Sequence, residues 1–211
     1  MTVAYDLFVQ ELTATGRDRL DGLSIYNLAD LSESERPAVR QALTEAFARR
    51  DARVPRALAF VAPDEHTRAL LQSVVQTWVP GQEPELFVVD CAAALLTLIH
   101  DGQALDLLVQ QARECTDLWQ RSLAEEGLTR ATPATPASAR LAKMIRDEPS
   151  GDRALSWADA LLQRHGWFVE DPATQAEAVD LLNALTEGDA KQRDAALLKV
   201  LQAPVVAWLR V

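Results

Sequence analysis

The chain has 211 residues, enough to bury a hydrophobic core without disulfide or metal staples. Its 31 acidic and 21 basic side chains leave a formal net charge of −10, which argues against a nucleic-acid partner, because binding a phosphate backbone depends on basic residues that release counterions. No basic segment leads into an apolar core after Met1 and no apolar run approaches the length of a membrane span, so a cytoplasmic protein that neither enters nor crosses a membrane is expected.

The predicted elements, in chain order, are all helical. Leu, Ala, Arg, Glu and Gln dominate, and runs alternating with period two are short. The first helices are predicted at 3–14, 18–31 and 33–50. Ser32–Glu33–Ser34–Glu35 reads as a capping box ahead of the third, with the Ser32 hydroxyl accepting from a free backbone N–H and Glu35 reaching back to the cap. Helices at 55–62 and 65–79 follow, separated by the cap signal Pro63–Asp64, and the next spans 84–100. That helix carries Leu86, Val88, Val89, Ala92, Ala93, Leu95, Leu96, Leu98 and Ile99 around most of its circumference. A helix so apolar must be covered on several sides, and only the stripe Asp90–Ala94–Thr97 is expected to see water.

Asp101 caps a helix predicted at 103–125, with Leu105, Leu108, Ala112, Cys115, Leu118 and Trp119 as its buried side. Residues 128–138, rich in Thr, Pro, Ala and Ser, read as a linker or loop. Helices are then predicted at 138–147, 152–166, 172–187 and 190–210, with Gly166 and Gly188 suited to helix ends and Asp171–Pro172 to a helix start. Leu155, Trp157, Leu161, Leu162, Val179, Leu182, Leu185, Leu197, Leu198, Leu201 and Trp208 supply the apolar stripes of this part. The organisation expected is a helical-repeat region over 1–127, the linker or loop, and C-terminal helices over 139–211 that continue the same array.

A shift of 37 residues lays Leu58 on Leu95, Val61 on Leu98, Asp64 on Asp101, Leu70 on Leu107 and Leu71 on Leu108. A fainter copy places Leu28 and Leu31 before Ser32, and Val39 and Leu43 after it. A period in the thirties, built from a short apolar helix, a cap and a second amphipathic helix, predicts stacked antiparallel hairpins, an all-α solenoid. The run Val88–Val89–Asp90–Cys91–Ala92–Ala93–Ala94–Leu95, with Leu98, Asp101, Ala104, Leu105, Leu107 and Leu108, resembles the repeats of the HEAT and armadillo families over about residues 18–126. The resemblance implies an α-solenoid that binds proteins. The helix at 55–62 is shorter than that pattern, and the proline and Asp/Arg ladder of many HEAT units are missing.

Motifs that carry chemistry are scarce. Cys91 and Cys115 lie inside apolar helical patterns without a CxxC neighbour, and are expected to be buried, reduced thiols. Asp64–Glu65–His66 is consecutive, whereas metal ligands on one helix face are three or four residues apart; the carboxylates suit a helix start instead. His100 belongs to the turn beside Asp101, and His165 is placed to meet free carbonyls at a helix C-terminus. No serine-hydrolase elbow, HExxH or phosphate-binding glycine loop occurs. The expectation is a protein with no catalytic residues, no metal and no cofactor.

The charge is distributed unevenly. Residues 64–126 hold 11 acids against 3 bases, while 1–63 hold 9 against 8 and 127–211 hold 11 against 10. Glu83, Glu85, Asp90, Asp106, Glu114 and Asp117 are therefore candidates for an acidic docking face, and Trp167 and Phe168 for an apolar anchor. The function expected is a non-enzymatic protein-binding module: an immunity protein or antitoxin that neutralises a basic toxin or effector by direct binding. A helical-repeat scaffold, adaptor or secretion chaperone is the alternative, and a small-molecule binder or enzyme with a pocket between helices is the third reading.

Overall fold

The computed structural model describes residues 2–16, 22–148 and 151–206. Among them every regular element is an α-helix: α1 (Val3–Thr13), α2 (Ile25–Ala29), α3 (Arg36–Ala48), α4 (Val54–Val61), α5 (Glu65–Val75), α6 (Leu86–Leu98), α7 (Gly102–Glu114), α8 (Leu118–Arg130), α9 (Ala137–Asp147), α10 (Asp152–Arg164), α11 (Gln175–Thr186) and α12 (Ala190–Gln202). None is long and apolar enough to cross a membrane.

Neighbours in sequence are neighbours in space, as short turns between amphipathic helices require. In addition, α2, α4, α6, α8 and α10 pack side by side in that order, forming one layer, and α3, α5, α7 and α9 back it. The C-terminal end is closed by α11 on α10, and by α12 on α11 and α9. This is the stacked, solenoid-like arrangement expected from the repeated cap.

The centre of the array is α6. Every residue from Phe87 to Leu96 is buried, and α4, α5, α7 and α8 surround the helix. The water-facing stripe expected on it is mostly closed: Ala94 is fully buried and Asp90 is only 6% exposed, because α4 and α8 close over that side, while Thr97 stays partly exposed. Gly127 makes the closure possible. A Cβ at this position would stand 2.7 Å from Leu108 Cδ1 and 2.8 Å from Ala93 Cβ, so α8 approaches α6 and α7 more closely than any side chain permits.

The caps that mark the repeat have the predicted chemistry. Asp64 accepts from the Thr67 N–H (3.0 Å) and Asp101 from the Ala104 N–H (2.9 Å). Asp101 also accepts from Gln72 Nε2 at 3.0 Å, tying α5 to α7. Asp101→Ala should therefore cost about 1–2 kcal/mol, the upper part of the range for an N-cap, read as a fall in the urea midpoint. Before α3 the geometry differs from a capping box. The Ser32 N–H and hydroxyl both donate to Glu35 Oε2 (3.0 and 2.6 Å), and the Thr2 N–H donates to Glu35 Oε1 (2.6 Å). Glu35 thus ties α1 to α3, and these hydrogen bonds, Ser32's foremost, hold its carboxyl at about 2.

Several boundaries differ from the expectation. Of the helix expected over 18–31 only α2 forms, capped by Ser24; residues 17–21 lie outside the described ones. The helix expected over 103–125 is two helices, because Asp117 accepts from the Gln120 N–H (2.8 Å) and starts α8 afresh. Its new register carries α8 on to Arg130, so the irregular stretch that follows is 131–136. Asp171 caps a turn, accepting from the Ala173 N–H, and α11 begins only at Gln175. Asp189 and Gln192 form a capping box before α12, which ends at Gln202; residues 207–211, with Trp208, lie outside the described ones. Gly166, at φ +85°, turns the chain out of α10 as expected, with the Trp167 N–H donating back to the Leu162 carbonyl.

The stretch 131–136 is held by a residue the periodicity gave no reason to single out. Arg164, at the end of α10, is fully buried and makes no ion pair among the described residues. Its guanidinium donates to the carbonyls of Leu128, Thr129 and Ala131 at the C-terminus of α8, to those of Thr132 and Thr135, and through Nε to Ser138 Oγ (3.0 Å). Carbonyls left over at a helix end need donors, and a cation there also complements the helix dipole. Burial pulls the Arg164 guanidinium down only to about 10, so it remains charged at neutral pH.

Candidate functional site

The six acidic candidates do not share one face. Glu83, Glu85, Glu114 and Asp117 are exposed where α7 ends and α6 and α8 begin. The edge is drawn together by Gln120, whose N–H is held by Asp117 and whose Nε2 donates to the Pro84 carbonyl at 3.0 Å. Glu85 is paired there with Arg50 (2.6 Å), whose guanidinium lies 4.9 Å from the centre of the Phe87 ring. Asp106 lies on α7 in the backing layer, paired with Arg140 at 2.8 Å. Asp90 is buried against Arg56, with an Nε–Oδ1 separation of 3.4 Å.

The same edge carries two residues expected in the core. Leu118 and Trp119 are 68% and 64% exposed, because the restart of the helix at Asp117 puts them in the first turn of α8 rather than on the buried stripe of a longer α7. Leu155, 49% exposed, begins α10 at the same edge, where Arg153 Nη1 donates to the Arg113 carbonyl (2.6 Å). This edge thus exposes Leu118, Trp119 and Leu155 together with Glu83, Glu85, Glu114 and Asp117, with Arg50 and Arg153 among them.

From this edge α8 runs across the layer, and the side of the layer turned away from α3, α5, α7 and α9 carries a ladder of charges. Arg56 of α4 meets Asp90 of α6 and, through Nη1, Glu126 Oε2 of α8. Glu126 Oε1 in turn accepts from Arg130 at 2.8 Å, so one carboxylate bridges two guanidiniums. Arg56 Nη2 is shut off from solvent with no hydrogen-bond partner among the described residues. Burial pushes the Asp90 carboxyl up to about 7, against the pull of Arg56 and helped by Glu126.

Beside the ladder, between α8 and α10, lies a groove lined by Ser122, Glu125, Glu126, Thr129, Asp159 and Gln163. Glu125 has Arg121 at 4.0 Å, and its Oε1 is closed to solvent and accepts no hydrogen bond from the described residues. Burial raises it to about 7, with Arg121 opposing and Asp159 adding to the rise. Asp159 accepts from Gln163 Nε2 at 2.8 Å and has no cationic partner among the described residues. Its carboxyl is raised by burial and by Glu170. The lining offers charge and hydrogen-bonding groups, with neither His nor Cys in it.

Trp167 is half-buried against the core, and it and Lys199 hydrogen-bond to Glu177, Lys199 foremost in holding that carboxyl below its usual value. The Phe168 N–H donates to Thr174 Oγ1 and its carbonyl accepts from the same hydroxyl. His165 does meet a helix-end carbonyl, that of Ala203 after α12 (2.8 Å from Nδ1), with Ser138 Oγ 2.9 Å from Nε2. Cys91 and Cys115 are free and buried, and burial pushes the Cys91 thiol up. Among the described residues no group of three or more His, Cys, Asp or Glu side chains is placed to hold a metal ion.

Periodicity could not have placed Trp119, but Thr116–Asp117 is a cap signal of the same kind as Asp64 and Asp101, and it was readable. No family model, curated protein or solved structure matches the chain.

Proposed function

We propose that this chain is a non-enzymatic protein-binding module that takes a basic protein partner at the edge where α6 and α8 begin. The observation that carries the reading is the exposure of Trp119 and Leu118 amid Glu83, Glu85, Glu114 and Asp117. Large exposed aromatic side chains are the residues that dominate binding energy in interfaces, and the carboxylates beside them, which outnumber the guanidiniums of Arg50 and Arg153 at this edge, help to steer a partner of opposite charge. The net charge of −10 points the same way. The ordered stack of hairpins is compatible with a helical repeat, and the HEAT and armadillo resemblance of residues 18–126 belongs with this proposal. Within the class, an immunity protein or antitoxin that blocks a basic toxin by covering it is the form that matches a small, acidic, helical chain without catalytic motifs.

The test is affinity capture from cells producing the tagged chain, with the captured protein then purified and titrated against the parent and Trp119→Ala. A partner of net positive charge is expected, bound at least tenfold more weakly by Trp119→Ala and associating more slowly as salt rises, since exposed charges are screened over about 8–10 Å. A partner bound equally by the variant, or indifferent to salt, overturns the assignment of this edge. Production of the partner alone should arrest growth and co-production relieve it; a harmless partner excludes the toxin-neutralising form.

A further inference from the structure

Two pockets on the ladder side of the even-numbered layer share a wall. The first lies between α2, α4, α6 and α8, with Ile25, Phe60, Ala93, Ala94 and Thr97 around it and a cavity volume of about 30 Å³. That is room for the tip of a branched aliphatic side chain and too little for an aromatic ring. The second is the α8–α10 groove, about 390 Å³ and partly open to solvent. Glu126 and Arg130 line both, so whatever fills one pocket lies against the other.

Their electrostatics differ. At the first pocket the charges are matched, since Arg56 and Arg130 share Glu126 and Arg56 also faces Asp90. In the groove they are not. Asp159 has an amide and no cation, Glu170 adds negative charge beside it, and Glu125 has one guanidinium at 4.0 Å. Arg130, the guanidinium that lines the groove as well, is paired with Glu126 at 2.8 Å, so it leaves the negative charge of Asp159 and Glu125 unmatched. The complement missing from the groove is a cation with several donors, which the planar guanidinium provides better than an ammonium.

We propose that the double pocket recognises a partner segment bearing an aliphatic side chain next to an arginine, the aliphatic tip entering the α2–α4–α6–α8 cavity and the guanidinium entering the α8–α10 groove beside Asp159 and Glu125. The inference rests on the protein-binding reading and adds what the partner must present. The groove lies on the same helix as Trp119, and Trp119 to Glu125 spans six residues of α8, about 9 Å at 1.5 Å per residue. A partner can therefore engage the exposed aromatic edge and the double pocket together.

The probes are N-acetyl-leucyl-arginine amide, its citrulline counterpart, which keeps the shape and loses the charge, and N-acetyl-alanyl-arginine amide. Each is titrated at millimolar concentrations into the ¹⁵N-labelled full chain, and amide shifts are followed in the parent, Asp159→Asn and Thr97→Leu, whose folds are checked by circular dichroism. Expected are saturable shifts confined to the pocket-lining parts of α2, α4, α6, α8 and α10 with the leucyl-arginine probe. Citrulline or Asp159→Asn should weaken binding about tenfold or more, the fold-change of a lost charged hydrogen bond. Alanine in the probe, or leucine filling the cavity at position 97, should weaken it severalfold. Shifts that are absent, scattered, or equal for the citrulline probe overturn the proposal. Should an identified partner lose affinity with Trp119→Ala yet bind Asp159→Asn and Thr97→Leu as tightly as the parent, the protein-binding reading stands and the double pocket is dropped.

Discussion

Replacing Arg164 by Met should lower the melting temperature by roughly 6–20 °C. The size follows from what the side chain satisfies. Five backbone carbonyls and Ser138 Oγ accept from one fully buried guanidinium. Methionine matches much of the aliphatic stem but donates nothing, leaving acceptors at the end of α8 and in 131–136 without partners. Each buried polar group so stranded costs about 1–3 kcal/mol, relaxation recovers part of it, and a net loss of about 3–5 kcal/mol is expected. In a chain of this length that is roughly 2–4 °C per kcal/mol. Arg164→Lys should fall between, since an ammonium has three donors and cannot span the fork. Arg140→Met is the control: its pair with Asp106 is exposed, and such pairs are worth about 0–1 kcal/mol. Scanning calorimetry that finds Arg164→Met melting with the parent would show that the carbonyls find other donors.

That such a residue escapes a sequence reading has a physical reason. Periodicity reports which faces of a helix are apolar, and so α6 and its neighbours could be read as the centre of a stack, and Asp64 and Asp101 as the hinges of a repeated hairpin. Those signals are local, three or four residues long. The partners of Arg164 are 26–36 residues away in sequence, and an arginine in the last turn of a helix looks like a solvated charge. Asp90 failed for a related cause. On a helical wheel it marks the polar stripe of α6, and only the close approach allowed by Gly127 and the arrival of Arg56 from α4 bury it. Trp119 failed through register: reading one helix through Cys115 put it on the buried side, and the restart at Asp117 turned it outward. The acidic excess of the middle of the chain was legible from the start. Its division between an exposed edge, a backing-layer pair and a buried ladder was not.

The buried ladder and the groove beside it make the second large prediction, in the dependence of stability on pH. Asp90 and Glu125 each carry a carboxyl raised to about 7 in the folded chain, and Asp159 is raised as well. A carboxyl raised on folding binds its proton more tightly in the native state than in the unfolded one. Its contribution is therefore fully present below the unfolded value near 4, and is lost progressively as pH climbs toward 7. For Asp90 alone, a rise from 3.8 to about 7 corresponds to about 4 kcal/mol. Carboxyls held low act in the opposite sense: Glu35, Asp64 and Glu177 contribute above about 4.5 and lose it as pH falls. His165, lowered by burial, likewise costs stability below about 6.5. The opposing slopes place the maximum near pH 5, with a fall of several kcal/mol by pH 8. Asp90→Asn cannot ionise, and Arg56 keeps Glu126 as its partner, so this variant should be no less stable than the parent at pH 8 and should show a shallower fall from pH 5. Glu125→Gln should flatten the remaining slope. Urea denaturation at pH 5, 6.5 and 8 decides it: a parent whose midpoint is level across that range, or an Asp90→Asn variant that falls as steeply as the parent, would mean that water reaches the ladder and that Asp90 is ionised in the folded chain throughout.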